Sequence, residues 1–423
     1  MQTDKSVSGQ VQLNSAGIFT EMSTELGPRI IFLEISFLVF LCGFFFMTQI
    51  KWQNNLFYAL IFTPYLIMFK RKRFMLLCKS KIFLMVLLFV GYSMTTLFWG
   101  QGGAYSDYIH ILIKSLSVLV FYALTIELSV VDKHFRDRVF FVLCWVSIIG
   151  AIVAMYLTHY NFVYPPERLM NMGAFRNPIQ AGGVYGMILI ITYYHLLSKG
   201  WRWYNVLYIL LFIALLAILL LTQSRGPLLA LVVAFFVGSL VARDFKMLII
   251  LTLIAAGIWI LVSSGERFFY DLIITRGDSY RLEIFECVFK LIMEKMVFGH
   301  GMLMKFTCAM SNGTLISRTH NLFLAAWLYG GLTGLVLLVA FCIKALWYSS
   351  LYLVHNKDCI YLALLIYSFI CVSTGNHNAI SNPHPLFLFF WMPLGFLSAF
   401  EITTKNMGNQ DNATSIAKAY EVV

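Results

Sequence analysis

Residues 218–231 read ILLLTQSRGPLLAL and place one arginine, Arg225, between two apolar runs. A charge within the bilayer costs about 3 kcal/mol or more unless it finds a partner or reaches water. One alternative is that Arg225 lies in a short turn and extends its side chain to the lipid headgroups. The stretch therefore predicts two membrane segments that meet at Arg225, and it leaves open what this charge binds.

The composition of the whole chain is that of a membrane protein. Hydrophobic residues make up 60% of its 423 residues and charged residues only 12%. Apolar stretches of about 20 residues, which can span a bilayer as helices, recur from end to end. The net charge of +11 does not indicate a nucleic-acid partner, because the cytoplasmic loops of membrane proteins collect Lys and Arg. We predict an all-α, polytopic integral membrane protein that is surrounded by membrane lipids and binds no nucleic acid.

Apolar runs bounded by charges or turn residues predict about twelve transmembrane helices. They lie near 30–49, 54–69, 82–99, 109–126, 139–160, 178–197, 203–222, 227–242, 246–263, 321–349, 359–375 and 386–402. The first 28 residues are polar and show no signal-peptide pattern, so we expect a cytoplasmic tail there. The predicted organisation is a cytoplasmic tail at 1–28, helices one to nine at 29–263, a large loop at 264–320, helices ten to twelve at 321–402 and a cytoplasmic tail at 403–423.

The distribution of Lys and Arg among the loops indicates the orientation. If the N-terminus lies inside, the inner loops hold most of the basic residues outside the large loop: Lys70, Arg71, Lys72, Arg73, Lys79, Lys81, Lys133, Arg136, Arg138, Lys199, Arg202, Arg243, Lys246 and Lys357. The short outer loops hold only Lys51, Arg168, Arg176 and Arg225. Because cytoplasmic loops are enriched in these residues, both termini are predicted inside, and Arg225 and the loop 264–320 outside.

The large outer loop contains an amphipathic helix over residues 281–296. One face is predicted to carry the charged side chains of Glu283, Glu286, Lys290 and Glu294. At about 100° per residue, Arg281 falls on the opposite face, in line with Phe285, Val288 and Ile292. Arg281 is therefore expected to face the membrane bundle, unless the first turn frays into water. Cys287 and Cys308 both fall in this loop, and no spacing pattern decides whether they pair.

The loop ends in SRTHN, which places His320 and Asn321 at the start of a predicted span. A lone histidine is often only a structural hydrogen-bonding residue. His320, Arg225 and Arg281, however, all fall at the outer membrane boundary. Two guanidinium groups can bind phosphate oxygens in a bidentate manner, and a neutral imidazole can take a proton from a hydroxyl group. These three residues predict a site that holds a diphosphate leaving group and activates an alcohol.

Three motifs in this order and on this side of the membrane resemble the shared module of the O-antigen ligase and O-antigen polymerase superfamily. They are TQSRG at 222–226, VFGHGM at 297–302 and THNLFLAAWLYGGLTGL at 319–335. The resemblance covers roughly residues 215–340, and the twelve-span layout extends it to the whole chain.

The resemblance implies that Arg225 and Arg281 bind the undecaprenyl diphosphate of a lipid-linked glycan donor and that His320 is the base. It implies a site on the periplasmic face of a bacterial inner membrane. A ligase of this superfamily moves the glycan to lipid A–core, whereas a polymerase extends the glycan on its carrier. The complete Arg, Arg and His set and the well-formed loop favour an O-antigen ligase. We expect the transfer to invert the anomeric configuration.

Two other functions stay open as alternatives. Protein O-oligosaccharyltransferases of the superfamily generally carry an additional C-terminal region, and this chain ends soon after its last predicted span, which disfavours that function. A transporter or lipid flippase could also have twelve spans and an arginine cluster that binds an anionic substrate. Transporters tend to place charged residues at the midplane of related halves, and here the ionisable residues gather at one face.

Further polar residues are predicted near the outer face as secondary site residues. They are Arg176, Gln180, Asn321, His377 and His384. Each could contact sugar or phosphate, or could serve only in loop hydrogen bonds, and Asn177 before Pro178 could cap a helix. No acidic cluster, nucleotide-binding motif or metal-ligand spacing is present. We therefore predict no metal and no cofactor.

Overall fold

The computed structural model describes residues 27–100, 102–158, 169, 173–198, 205–243, 249, 252, 256, 280–375 and 378–405. These parts of the chain are almost entirely helical. The long helices are α1 (Gly27–Phe46), α5 (Lys81–Thr95), α6 (Tyr105–Val131), α7 (Phe135–Leu157), α8 (Pro178–Ser198), α9 (Asn205–Leu221), α10 (Arg225–Ala242), α11 (Arg281–Glu294), α12 (Leu322–Asn356), α13 (Ile360–Thr374) and α14 (Phe387–Lys405).

Short elements connect the long helices. They are α2 (Ile50–Phe57), a π-helical turn (Tyr58–Phe62), α3 (Thr63–Ile67), α4 (Arg71–Leu77), the 3₁₀ turns Thr96–Phe98 and Gly173–Phe175, and the antiparallel strands β1 (Cys308–Ala309) and β2 (Leu315–Ile316). Another π-helical turn, Phe387–Trp391, opens α14. The predicted short span 54–69 is thus a helical stretch of α2 and α3 that the first π turn interrupts.

Helix α14 lies in the interior of the bundle, where its first turn, Phe387–Trp391, is fully buried. Its other end caps α5. The carboxylate of Glu401 accepts hydrogen bonds from Ser80 Oγ at 2.7 Å, from Lys81 N at 3.0 Å and from Ile82 N at 3.2 Å. The nitrogens of Lys81 and Ile82 are backbone donors that the first turn of a helix leaves unpaired, and an anion there also complements the helix dipole. A buried carboxylate thereby fixes the relative positions of α5 and α14.

Apolar side chains on the outside of the bundle identify its lipid-facing surface. Rows of exposed aliphatic residues run along three helices: Ile149 and Ile152 on α7, Leu210 and Ile213 on α9, and Val336 and Ile343 on α12. Exposed apolar surface on this scale is expected only where lipid or a partner covers it. Six helices in the described residues are long and apolar enough to cross a membrane, and three further apolar helices are shorter.

The structure confirms an all-α membrane protein in the part of the chain that it describes. Eleven of the twelve predicted segments coincide with described helices, whereas segment 246–263 lies outside the described residues. The number of membrane crossings stays a prediction. Arg73, expected as a loop charge, is buried: its Nη1 atom lies 3.4 Å from Glu127 Oε2, and Tyr65 donates to Glu127 Oε1 at 2.7 Å. Burial of Arg73 is tolerated because a carboxylate accompanies it.

Backbone contacts dock the segment after α11 onto α12. Helix α12 is kinked at Gly331, whose φ is +64°. The kink leaves carbonyl oxygens of α12 without helical partners, and His300 N donates to Leu328 O while Gly301 N donates to Tyr329 O, both at 2.9 Å. In the reverse direction, Leu332 N donates to Met296 O at 2.8 Å. The motif VFGHGM therefore has a structural role, because its backbone hydrogen bonds join the large loop to the kinked helix.

Candidate functional site

Helix packing brings three predicted site segments to one end of the bundle. Ser224 Oγ, just before α10, donates to the backbone oxygen of Pro178 at 2.9 Å, so α8 and α10 begin side by side. A Cβ atom on Gly226 would lie only 2.6 Å from Thr374 Oγ1, so α13 ends at the same place. We call the end of the bundle defined by Pro178, Arg225 and Thr374 the site end.

The other end of the same helices is equally well defined. Tyr194 near the end of α8 and Cys359 before α13 are within hydrogen-bonding distance, at 2.9 Å, and Cys359 Sγ lies 3.7 Å from the carbonyl oxygen of Gly238 late in α10. We call this the opposite end. Pro178 and Arg225 therefore share one end because α8 and α10 run in the same direction.

Arg225 is the first residue of α10, and its side chain is exposed at the site end. The Ser224 side chain does not cap this helix, because its hydroxyl donates to the backbone oxygens of Pro178 and Thr222. A helix start with an adjoining guanidinium favours an anion. Gln223 has a φ of +49°, which turns the chain sharply between α9 and α10.

Arg281 is the first residue of α11, as predicted, and its side chain is half-buried. The buried face of the helix consists of Ile284, Val288 and Ile292. Ile284 thus takes the place predicted for Phe285, which is only partly buried. Burial lowers the pKa of the Arg281 guanidinium. The helix is amphipathic, as predicted, and the orientation of Arg281 toward the membrane bundle stays a prediction.

Polar contacts and a disulfide hold α11 to the rest of its loop. Cys287 is bonded to Cys308 on strand β1, which decides the pairing that the sequence left open. Glu283 accepts hydrogen bonds from the backbone nitrogen and the hydroxyl of Ser311, both at 2.8 Å. The loop is therefore folded and cross-linked in its described part. The helix that begins at Arg281 is held in place by these contacts.

His320 lies in a backbone turn immediately before α12, with a φ of +50°. Asn321 caps that helix, because its Oδ1 atom accepts hydrogen bonds from Phe323 N at 2.8 Å and Leu324 N at 3.1 Å. The Asn321 side chain thus has a structural task at a helix start. Thr319 Oγ1 donates to Asn321 O at 3.0 Å. The backbone is therefore hydrogen-bonded on both sides of His320.

The surroundings of His320 hold its imidazole neutral. Burial lowers the pKa of His320 below its usual value, and the positive charges of Arg281 and Arg318 lower it further. A neutral imidazole beside two guanidinium groups can accept a proton from a hydroxyl group while the cations hold an anion. The charge of Arg281 thus acts on His320, and a joint role of the two residues stays a prediction.

Arg318 was not predicted as a site residue. It stands two positions before His320 in the motif SRTHN, and its side chain is exposed. A basic residue within the motif that carries the candidate base was the signal in the sequence. Sequence reasoning missed it because a charge at the end of a solvent-facing loop is usually only solvated.

Two secondary residues, Gln180 and His384, form a pair at the site end. The Gln180 carboxamide and His384 Nε2 are 2.6 Å apart, and Leu386 N donates to His384 Nδ1 at 3.3 Å. Burial, with a smaller contribution from the charge of Arg318, lowers the pKa of His384 to about 4. The contact joins His384 Nε2 to Gln180 Nε2, and the tautomer of the ring decides which of the two atoms donates. Both ring nitrogens of His384 are therefore engaged.

The remaining secondary residues are less informative. Asn177 caps α8, because its Oδ1 atom accepts a hydrogen bond from Ile179 N at 3.0 Å. Arg176 is exposed next to it, and His377 lies outside the described residues. Among the residues with a described position, no group of three or more His, Cys, Asp or Glu side chains could hold a metal ion.

The lipid-facing helices and the cationic site end define a polytopic membrane protein with a candidate anion site at one membrane boundary. Residues 209–339 match the sequence model of the O-antigen ligase family. The chain is also 27% identical to a protein of Pseudomonas aeruginosa named O-antigen ligase. The alignment extends over 378 residues, which are 88% of this chain and 90% of that protein. The predicted resemblance is confirmed: residues 209–339 are similar to the O-antigen ligase family, and the matched segment contains Arg225, Arg281, Arg318 and His320.

Proposed function

We propose that this protein is an O-antigen ligase that moves O-antigen polysaccharide from undecaprenyl diphosphate to lipid A–core, at the periplasmic face of the inner membrane. The observation that carries the proposal is the position of His320. Its ring is half-buried and its pKa is lowered, with the charge of Arg281 as one of the causes. A base held neutral beside a phosphate-binding cation is what transfer from a lipid diphosphate to an alcohol requires.

The reaction has one bond-forming and one bond-breaking event. The acceptor hydroxyl oxygen attacks the anomeric carbon of the donor sugar, and the bond between that carbon and the diphosphate oxygen breaks. The hydroxyl proton passes to His320, and the electron pair of the broken bond stays with the diphosphate. Arg225 and Arg281 would hold the diphosphate, which needs charge stabilisation more than protonation because it is already a good leaving group. Displacement from the opposite face would invert the anomeric configuration.

Two further features support a periplasmic site and a lipid-linked substrate. A disulfide such as Cys287–Cys308 persists in an oxidising compartment, which fits a loop on the periplasmic side. The site end also adjoins helices whose apolar residues are exposed to lipid. A carrier with a long polyprenyl chain could therefore stay in the bilayer while its diphosphate reaches Arg225 and Arg281.

The proposal is tested with the purified full-length protein, a lipid-linked O-antigen donor and lipid A–core. We expect a covalent glycan–lipid A–core product and release of the carrier diphosphate, with activity that survives EDTA. His320→Ala should lower turnover by about 10²–10⁴-fold, the usual contribution of a general base, while the donor still binds. His355→Ala is the matched control, because His355 is exposed near the far end of the same helix, α12.

The same assay separates the alternatives. A polymerase would lengthen the carrier-linked glycan in the absence of lipid A–core, and a transporter or flippase would yield no covalent product. Arg225→Ala and Arg281→Ala should each nearly abolish ligation, and Lys should substitute poorly because it lacks the bidentate fork. Arg243→Ala, at the opposite end of α10, is the control. Wild-type ligation by both site variants would show that the diphosphate binds elsewhere.

A further inference from the structure

The turn 295–299, which follows α11, exposes apolar side chains although it belongs to the loop that is predicted outside the membrane. Phe298 is 63% exposed and Val297 is 52% exposed. Phe98, just after α5, is 90% exposed, and the neighbouring Trp99 ring lies 6.4 Å from the Phe298 ring between centroids. A contiguous apolar patch of this kind marks a surface that contacts a protein or a membrane.

The backbone of this turn is hydrogen-bonded within the protein even though its side chains are exposed. Three successive carbonyl oxygens accept from protein donors: Met296 O from Leu332 N at 2.8 Å, Val297 O from Thr333 N at 3.3 Å and Phe298 O from Trp99 Nε1 at 3.3 Å. Irregular backbone is tolerated at membrane depth only where the protein satisfies its polar groups. The carbonyl groups of the turn meet that condition, which a turn in water would not need to meet.

The attachment of the turn to α12 places it at a membrane boundary. Helix α12 ends at Asn356, three residues before Cys359 at the opposite end, so its start lies on the side of the site end. The 25 residues from Leu332 to Asn356 rise about 37 Å, which exceeds a hydrocarbon core of about 30 Å. Leu332, which is bonded to the turn, therefore lies near the depth at which α12 enters the lipid. Leu332 and Val336, one helical turn apart, are both exposed and continue the lipid-facing row of α12.

The turn and Trp99 line an open cavity. Its volume of about 670 Å³ lies within the range of about 300–1,000 Å³ for sites that hold small molecules. Its described lining is Trp99, Lys295, Met296, Val297, Phe298 and Gly299. Lys295 is the one charged side chain in this lining, and a lysine can place its stem on apolar surface while its ammonium reaches the headgroups. Tryptophan is also enriched at membrane boundaries, because its ring is apolar and its N–H is polar.

We propose that the turn 295–299 enters the lipid leaflet on the side of the site end, and that an acyl chain of a phospholipid occupies the cavity with Lys295 at the phosphate. This inference goes beyond the proposed function and does not depend on it. The lining selects this occupant, because apolar walls accept a hydrocarbon chain and a single cation accepts a phosphate. The membrane itself then holds the loop at the boundary, together with the helix that begins at Arg281.

Spin labels test whether the turn lies in lipid. The full-length protein, without its natural unpaired cysteines, is reconstituted in vesicles of phosphatidylethanolamine and phosphatidylglycerol and labelled at Phe298→Cys. We expect this label to lose most of its collisions with a water-soluble nickel complex and to collide freely with O₂, which is enriched in lipid. A label at Val336→Cys on α12 is the reference for lipid. A label at Asn312→Cys, in the exposed connection between β1 and β2, is the reference for water.

A phospholipid with a diazirine group on its acyl chain identifies the occupant. After illumination of the reconstituted wild-type protein, we expect adducts on the peptide that contains the turn, and this measurement needs no substitution. Lys295→Gln should lower the yield of these adducts by about fivefold, the usual contribution of one basic residue at an anionic membrane surface, and Lys295→Arg should keep the yield. Lys290→Gln is the matched control, because Lys290 is an exposed lysine of α11 that pairs with Glu286.

Each outcome supports or overturns the inference. Collisions of the Phe298→Cys label with the nickel complex as frequent as those of the Asn312→Cys label would place the turn in water. Few collisions with both reagents would mean that protein covers the turn, either a second copy or another part of this chain. Adducts on α12 without adducts on the turn would show that no acyl chain occupies the cavity. Equal yields for Lys295→Gln and Lys290→Gln would overturn the assignment of Lys295 to the phosphate.

These measurements are independent of the ligation assay. A protein that forms no ligation product but labels as expected would contradict the proposed function and leave this inference standing. A protein that ligates while its turn is accessible from water would overturn this inference and leave the proposed function standing.

Discussion

Gly299 and Gly331 meet backbone to backbone where the large loop docks on α12. A Cβ atom on Gly299 would lie 2.3 Å from the Gly331 nitrogen, and one on Gly331 would lie 2.2 Å from the carbonyl oxygen of Val297. Both residues have positive φ angles, +71° and +64°, which side chains rarely allow. The contact ties the segment that follows Arg281 to the helix that begins beside His320.

We expect Gly331→Ala to weaken this docking and to lower transfer activity. The added methyl group meets backbone atoms that cannot rotate away, and the left-handed conformation costs a non-glycine residue about 1–3 kcal/mol. Limited proteolysis of the loop and the ligation assay measure the effect. Gly91→Ala is the control, because a Cβ atom at Gly91 has nothing within 4 Å. Equal protease resistance of the two variants would show that this contact does not hold the loop.

The rate of transfer should depend on pH through the protonation of His320. The base acts in its neutral form, so activity falls as pH drops through the His320 pKa, which lies below the usual histidine value. In Arg281→Gln or Arg318→Gln, one of the charges that lower this pKa is lost. The pKa should rise, and the acidic limb of the kcat/KM profile should move to higher pH. A limb that stays in place in both variants would assign the titration to another group.

Loss of the disulfide Cys287–Cys308 should loosen the loop without unfolding the bundle. The bond closes a loop of 21 residues in sequence separation, which corresponds to about 3 kcal/mol in a chain-entropy account. Cys287→Ser combined with Cys308→Ser should make the loop protease-sensitive and lower ligation. Reductant should reproduce this effect in the wild-type protein and have none in the double variant. Free thiols at both positions in unreduced wild-type protein would contradict the pairing.

The buried pair of Arg73 and Glu127 should be needed for stability rather than for transfer. Glu127→Ala leaves the Arg73 guanidinium buried without a carboxylate, at a cost of about 3–5 kcal/mol. Arg73→Met with Glu127→Leu removes both charges and should regain most of the thermal stability. Glu286→Ala, which breaks an exposed pair with Lys290, should leave the unfolding temperature unchanged. Full stability of Glu127→Ala would mean that another group compensates Arg73.

Impermeant thiol reagents test the predicted orientation. Asn312 in the large loop and Lys72 in α4 are both exposed. In a background without the natural unpaired cysteines, Asn312→Cys should label from outside intact spheroplasts, whereas Lys72→Cys should label only after the membrane is permeabilised. The charge distribution places Lys72 inside. Labelling of Lys72→Cys in intact spheroplasts would reverse the orientation and move the candidate site to the cytoplasmic face.

The sequence by itself determined the class of protein and most of its helices. A long apolar run in lipid favours a helix, because every backbone polar group there must be hydrogen-bonded within its own segment. The amphipathic period around Val288 and Ile292 predicted α11 and its buried face. The motifs that contain Arg225 and His320 predicted the family domain that the comparison found.

Only the tertiary structure decided which of the predicted polar residues serve the fold. Asn321 and Asn177 cap helices, Arg73 is paired and buried, and the Cys287–Cys308 bond became evident only once α11 and β1 were placed. Arg318 emerged because its charge acts on histidines 64 positions apart in sequence. Local patterns report periodicity and helix starts, whereas burial, hydrogen-bond partners and the Coulomb interaction between distant segments depend on how helices pack. The spacing of residues within one segment therefore does not predict burial, hydrogen-bond partners or interactions between distant segments.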